Sequence, residues 1–592
     1  MTKRSIGLTT PLDADALLFH RMTSKEQLGR MFEFDLELLS EDEQIKLENV
    51  LGQSMTVRLD LPDGSQRWFN GLVSKFAQAG RAGNYARYQA TLRPWLWFLT
   101  RSADCRIFQE MTVPAIIKEV FSKHGFTNLT DNLTGSYREW DYCVQYRETD
   151  FNFVSRLMEQ EGIYYHFAHE DGKHDLVLCD SYSSHEPIPG YEEIPYFPPS
   201  TGAERERDHI FHWSVSQEVQ SGAFALNDFD FEKPKADLLT RSVVSREHAA
   251  SDHEIYDYPG EYRSAGDGET YVRTRIEEQQ ARYEHFRGEG NAAGVAAGGL
   301  FKLTGCPRDD QNREYLLISA THSLESNEYE SAAKALGPGY GSSFTAIDAK
   351  QPFRPARLTP KPLVQGPQTA IVVGPAGEEI WTDKYGRVKV QFHWDRYGES
   401  NENSSCWVRV AQVWAGKSWG GIQIPRINQE VLVEFLEGDP DRPIITGRVY
   451  NADHMPPYEL PANQTQSGIK SRSTKGGSAE NFNEIRMEDL KGSEVLYIHA
   501  EKDQSIVVEN DQSISVGNDR TENIGNDRSL AVGGNKSESV EKNKTVGIAG
   551  NHSESIDGEM TLSVDKSRTM VVKKDLTETV DASMTVSVKD DR

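Results

Sequence analysis

The sequence predicts a mainly β protein with an α+β N-terminal region, a five-stranded barrel and a C-terminal stack of short strands. Three observations carry this reading. Residues 505–592 repeat with a period of eight; residues 387–450 hold five short strand signals; and the first 350 residues mix strand and helix signals.

Written in rows of eight, residues 505–592 make eleven octads without an insertion. Position one is Ser or Thr and position four Val or Ile in all eleven, and the segment lacks Pro, Cys and aromatic residues. Positions one to four suit a short strand, with positions two and four on one side. Gly, Asn and Asp gather at positions five to seven, where a chain turns a corner. One octad is then one strand plus one corner, and it buries its apolar side only against stacked neighbours. The expected core is Val508, Val516, Ile524, Val532, Val540, Ile548, Ile556, Val564, Val572, Val580 and Val588. Four octads carry Glu522, Glu538, Glu554 and Glu578 at position two, and the pattern alone does not place them. Two architectures use such octads: one chain winding three octads per circuit, or three chains intertwined. A weaker row, Tyr497 to Gln504, precedes the repeat.

Upstream, Arg387 to Trp394 alternates Val388, Val390, Phe392 and Trp394 on one face. Cys406 to Ala411, Gly421 to Ile424, Glu430 to Phe435 and Ile444 to Tyr450 are the other expected strands. Five short strands with turn punctuation predict a small barrel of the oligonucleotide/oligosaccharide-binding type. Pro352, Pro355, Pro360, Pro362 and Pro367 mark a linker before it; Pro456, Pro457 and Pro461 mark one after it. The expected divisions are therefore a base at 1–350, a linker at 351–380, the barrel at 381–455, a neck at 456–484 and the octad segment at 485–592.

In the base, Phe32 to Leu39 and Met55 to Leu61 read as strands. A helix is expected near Thr112 to Lys123, with Pro114 early and Gly125 after its end. A second, Phe151 to Gln160, is expected to be capped by Asp150, ended by Gly162 and followed by a strand Ile163 to Phe167; a third spans Tyr271 to Phe286.

Charge and composition narrow the function. Lys plus Arg total 65 against 91 Asp plus Glu, a net charge of −26, which excludes a phosphate-binding footprint and nucleic acid as a partner. It also repels anionic membrane surfaces. No apolar run approaches the roughly 18 residues of a membrane span, and the first ten residues lack the apolar stretch of a secretory signal. Cys105, Cys143, Cys179, Cys306 and Cys406 are odd in number and widely spaced, which fits a reducing compartment.

Motifs with catalytic meaning fail their context tests. Gly416-Lys-Ser-Trp-Gly420 matches G-x-S-x-G, but a strand rather than a helix is expected after it, so Ser418 reads as a barrel loop. Ala411 to Ser418 misses a phosphate loop at its first glycine. His393 reads as a rim or interface residue, and His166, His169 and His174 lack a fourth ligand for a metal. No catalytic, cofactor-binding or metal residue is assigned, and no enzyme or cofactor is expected.

Tyr385-Gly-Arg-Val-Lys-Val-Gln-Phe-His-Trp-Asp395, Trp407-Val-Arg-Val-Ala411, Ile424-Pro-Arg-Ile-Asn-Gln-Glu-Val431 and Phe435-Leu-Glu-Gly-Asp-Pro-Asp-Arg-Pro-Ile-Ile-Thr-Gly-Arg-Val-Tyr-Asn451 carry a likeness. So do Leu92-Arg-Pro-Trp95, Cys105-Arg-Ile-Phe108, the stretch Tyr142 to Phe151, and Val516-Gly517 and Val532-Gly533 in the octads. On these motifs the chain resembles the VgrG (valine-glycine repeat) spike family of bacterial type VI secretion. The resemblance implies a homotrimer with a phage-tail-hub-like base, an oligonucleotide/oligosaccharide-type (OB) barrel and an intertwined triple-stranded β-helix. It implies a cell-puncturing spike, with an Hcp tube hexamer and baseplate components at the base. A PAAR-repeat protein, effectors and their adaptors would sit at the tip. It further implies a cytoplasmic protein exported by the secretion machine without a signal peptide. The related hub of a phage or phage-like contractile tail is the alternative. Ala452 to about Glu484 is too short for the lysozyme domain that the related phage spike carries between barrel and helix.

Overall fold

The computed structural model describes residues 6–199, 207–326 and 339–589, so the last three residues of the eleventh octad lie outside it. The chain divides into two compact units, Met1–Asp503 and Gln504–Arg592.

The first unit is built on a twelve-stranded sheet that joins the two ends of the base. Strands from Ile6 to Arg93 form one half, and Ile210–Gln217, Glu284–Gly290, Leu300–Thr304, Glu314–Glu325 and Gly339–Asp348 belong to the other. The halves meet where Leu18–Gln27 pairs antiparallel with Glu314–Glu325, Met22 opposite Leu324. Alternation sends Phe34, Leu36 and Leu38 into one core with Phe69 and Tyr88. The other half packs Phe286, Phe301, Tyr315 and Phe344.

Three α-helices lie among the described residues. α1 (Val113–Lys123) starts at Thr112, whose hydroxyl accepts from the Ala115 amide, and buries Ile116, Ile117 and Val120. α2 (Asp150–Glu161) ends as expected at Gly162, whose φ of 75° suits glycine. Its cap is Thr149 rather than Asp150: the Thr149 hydroxyl accepts from Asn152 N at 3.1 Å. Asp150 is drawn inward, where it accepts from Arg106 at 2.5 Å, Ser102 Oγ at 2.7 Å and Gln145 at 2.8 Å. α3 (Ala265–Gln280) begins six residues earlier than expected, at a Ser264 cap with Asp267, and the tail read as helix is instead the strand Glu284–Gly290. Gly266 and Gly268 hid that start. Gly268 is required because a Cβ there would lie 2.6 Å from the Tyr262 ring.

The barrel differs from its expected strand list in one member. Its sheet runs Lys389–Phe392, Gln368–Val373, Glu430–Phe435, Pro443–Arg448, Arg409–Val410. Val388 and Val408 exchange backbone bonds of 3.1 and 2.8 Å and close the barrel. Gln368–Val373, read above as linker, supplies a strand, and Ala370 and Val372 are fully buried. The strand expected at 421–424 is absent from the barrel; Gly420–Gly421 instead pairs with Trp414–Ala415 in a short hairpin.

The proline-rich stretch before the barrel is an ordered strap. Arg354 binds Glu277 at 2.8 Å and donates to the carbonyls of Gly162 and Asp180. The amides of Leu358 and Thr359 both donate to Glu159 at 2.9 Å. Lys361 reaches Asp441 at 2.7 Å, Asp439 at 2.8 Å and Glu261 at 3.2 Å, tying strap, barrel and base together. Burial and the Asp441 charge push the Asp439 carboxyl up to about 6, although Lys361 opposes them. Asp441 also accepts from the Val144 amide of the base at 2.6 Å.

After the barrel, Gln466–Lys470, Glu484–Glu488 and Val495–His499 form an antiparallel three-stranded sheet. Residues 485–499, read above as the start of the octad segment, therefore turn back on themselves, through Leu490 and Ser493, before the repeat begins.

Two tests follow from these contacts. Lys361→Met strands three carboxylates without a cation, at a cost of about 3–5 kcal/mol. We expect early protease cleavage within residues 351–367, with part of the resistance returning as pH falls below about 6 and Asp439 takes up a proton.

The second test uses two buried histidines of the base. His174 Nε2 accepts from the Trp95 amide at 3.0 Å, and its Nδ1 faces Asn70 Oδ1 at 2.8 Å; His322 Nε2 faces Arg67 at 3.1 Å and Nδ1 the Tyr340 hydroxyl at 2.8 Å. Both rings are therefore neutral, and burial lowers them to about 3 and about 4, with the Arg67 cation adding to it at His322 against the opposing Glu26. A depressed histidine pKa leaves stability untouched above the unfolded value of 6.5 and removes it as pH falls below that value. Between pH 7 and 5 each ring then costs about 2 kcal/mol. Thermal melts should show the base losing stability over that interval, and His174→Asn losing less of it.

Candidate functional surface: the octad segment and an exposed hairpin

Residues 504–589 repeat one local geometry. The chain bends at positions five and six of each octad, from Glu509–Asn510 to Asp581–Ala582, and runs on between bends. At three corners the Asn at position six donates to the Asp at position seven: Asn510 to Asp511, Asn518 to Asp519 and Asn526 to Asp527, at 3.2–3.3 Å. These side chains turn the corner locally.

Among these described residues, no backbone hydrogen bond joins one octad to another. A single chain winding three octads per circuit would pair strands of successive circuits. This geometry removes that alternative: the extended segments offer their N–H and C=O groups to other chains, like the open edge of a sheet. The side chains agree. In the lone chain the position-four residues from Val508 to Val580 are each 46–52% exposed, so all ten occupy one equivalent environment.

Three of the four position-two acids stand beside a basic position-eight residue. Glu522 lies 3.6 Å from Arg520 and 3.2 Å from Arg528; Glu538 lies 3.5 Å from Lys536 and 2.9 Å from Lys544. His552 stands 3.9 Å from Glu554. The six-residue pairs, Glu522 to Arg528 and Glu538 to Lys544, are visible only once the corner is drawn; the two-residue pairs lie along one extended segment.

In the first unit, Ser418 sits in the turn of the Trp414–Gly421 hairpin with φ 63°, and Gly416 N donates to Trp419 O at 2.9 Å. A strand follows, so the G-x-S-x-G match is a hairpin turn and no nucleophile elbow. The hairpin leaves Val413, Trp414, Trp419 and Ile422 exposed. His393 is exposed and faces Thr369 Oγ1 at 2.9 Å.

His166, His169 and His174 do not converge. His169 and His174 are cross-strand partners beside Asn70, with His169 Nε2 3.4 Å from Glu26. The Glu26 carboxylate, buried with Arg67, His169 and His322, is held well below the ordinary range; burial opposes this, and the close approach of His169 and the Arg67 cation outweigh it. His166 lies instead with Cys179 and His185, their ligand atoms within 4.8 Å of one another. That trio holds the atom types of a soft-metal site. Both His185 nitrogens are already engaged, by Tyr164 and the Gly298 carbonyl at 2.9 Å each, so the arrangement is that of a satisfied core histidine.

Comparison with known proteins gives this geometry a family. Residues 25–328 match the phage tail baseplate hub (GPD) family, 377–450 the type VI secretion system/phage-baseplate injector OB domain, and 467–580 the bacteriophage T4 gp5 C-terminal trimerisation domain. The type VI secretion system spike protein VgrG1b of Pseudomonas aeruginosa is 59% identical over 505 residues, covering 85% of this chain and 68% of that protein. The actin cross-linking toxin VgrG1 of Vibrio cholerae is 36% identical over 476 residues, covering 80% of this chain and 43% of that protein. The solved structure of the Escherichia coli c3393 protein, described as a type VI secretion component similar to the T4 tail proteins gp27 and gp5, superposes with a TM-score of 0.53. Its identity is 22%, with 75% of this chain and all of that one covered, which supports the shared fold. A hub-like base, a closed barrel and an octad segment whose strands await other chains agree with these matches, and the chain belongs to the VgrG spike family of the type VI secretion system.

Proposed function

We propose that three copies of this chain wind their octads into a needle whose axis is lined by the position-four residues from Val508 to Val588. The observation that carries the reading is the pairing of an exposed apolar row with an unpaired extended backbone over the described octad residues, 505–589. Each chain supplies what the others lack: donors and acceptors for the strands, and the remaining walls of a dry core. The missing aromatics keep that core narrow.

The needle is a puncturing point, and the protein acts by shape rather than by catalysis. In this reading the hub and barrel form a wide base seated on the Hcp tube and baseplate. A PAAR-repeat cone, with effectors and their adaptors, rides at the far end. The likeness to a protein named an actin cross-linking toxin supports effector delivery. The exposed Trp414–Gly421 hairpin is covered when the barrels associate. The protein is made in the cytoplasm and leaves with the machine.

Two measurements test this. Light scattering of the full chain should give three times 66.7 kDa at micromolar protein; a monodisperse monomer would refute the intertwined needle. Val540→Asp should bury three like charges at one level, each unpaired carboxylate costing on the order of several kcal/mol. Its trimer fraction and heat resistance should fall well below those of Lys542→Asp, a corner substitution in the same octad. Equal behaviour of the two variants would show that position four does not face a core.

A further inference from the structure

Position four is Val or Ile in every octad, so a chain displaced by one octad against its neighbours would bury the same apolar row. That row holds chains together and carries no information about register. Position two does carry it. It is apolar in seven octads and Glu in four, namely the third, fifth, seventh and tenth, with Glu522, Glu538, Glu554 and Glu578. The first two acids are flanked on both sides by position-eight cations, with Glu538 to Lys544 the shortest pair at 2.9 Å. The third has His552 beside it, and the fourth stands between Leu576 and Met584. Strand alternation puts positions eight, two and four on one side, so the charged groups share the side of the valine row.

We infer that these acid layers set the register in which three copies of this chain wind together. The inference rests on the reading that position four lines the needle axis. The acids recur at intervals of two, two and three octads, which makes the pattern aperiodic. With chains in register, all four acid levels coincide. A slip of one octad aligns none of them and sets each Glu, and the cations beside the first two, against Ile, Leu, Val or Met of a neighbour. A slip of two octads aligns only two. An ion pair pressed against apolar side chains loses hydration without gaining a polar partner. A single polar residue in a coiled-coil seam fixes register in the same way, at a cost in stability.

The test uses the full chain with all four acids replaced, Glu522→Leu, Glu538→Leu, Glu554→Leu and Glu578→Leu. A spin label on a non-canonical amino acid at position 566, an octad corner, reports the distance between the three copies by pulsed electron resonance. The unmodified chain should give one short distance. The fourfold variant should remain trimeric by light scattering and as heat-resistant as its parent, yet add longer distances from slipped chains. The exchange variant Lys536→Glu, Glu538→Lys, Lys544→Glu keeps a charged layer at the fifth octad and should keep the single distance. One short distance in the fourfold variant would overturn the inference and assign register to the base. Loss of the trimer would overturn the axis-facing reading beneath it.

Discussion

An extended backbone must pair its N–H and C=O groups, and among its described residues the octad segment does not pair them within its own chain. Every other feature of that segment answers to this constraint. The β-branched position four favours an extended chain, and the Asn–Asp corner turns it without borrowing a backbone partner. The apolar row has no wall of its own. A protein built this way is half a structure until copies meet, and folding of the segment is inseparable from assembly. The matched trimerisation domain over residues 467–580 is the family's name for that dependence.

The first unit solves the opposite problem. It must be rigid as one chain, and it does this with charge as well as with apolar cores. The strap is threaded through Arg354, the Leu358 and Thr359 amides and Lys361, each satisfied by groups from the base or barrel. Lys361 faces three carboxylates, so removing it costs far more than removing an exposed lysine would. Prolines suit such a strap, since a segment held by side chains and a few amides loses little by lacking donors.

How much of this was legible follows from the range of the interactions. The repeat, the start of α1, the end of α2 at Gly162 and most barrel strands are signalled by residues a few positions apart, and the sequence pattern revealed them. The pairing of Met22 with Leu324 spans the base and leaves no local trace. Gln368–Val373 was obscured because five prolines before it read as a linker, although Ala370, Ile371, Val372 and Val373 form an apolar run that ends inside the barrel core. Asp150 looked like a cap because it begins a helix; Arg106, distant in sequence, claims its carboxylate and leaves the cap to Thr149. The closest partners of Glu522 and Glu538, Arg528 and Lys544, lie across a corner, and the repeat pattern alone does not draw that corner.

The absence of any insertion from residue 505 onward has a consequence for how such a needle changes length. One added or lost residue would swing every later side chain to the opposite face and break the position-four row at that point. Addition or loss of a whole octad leaves the row continuous. The segment therefore behaves as a ruler with one graduation, and its reach grows or shrinks in steps of eight residues.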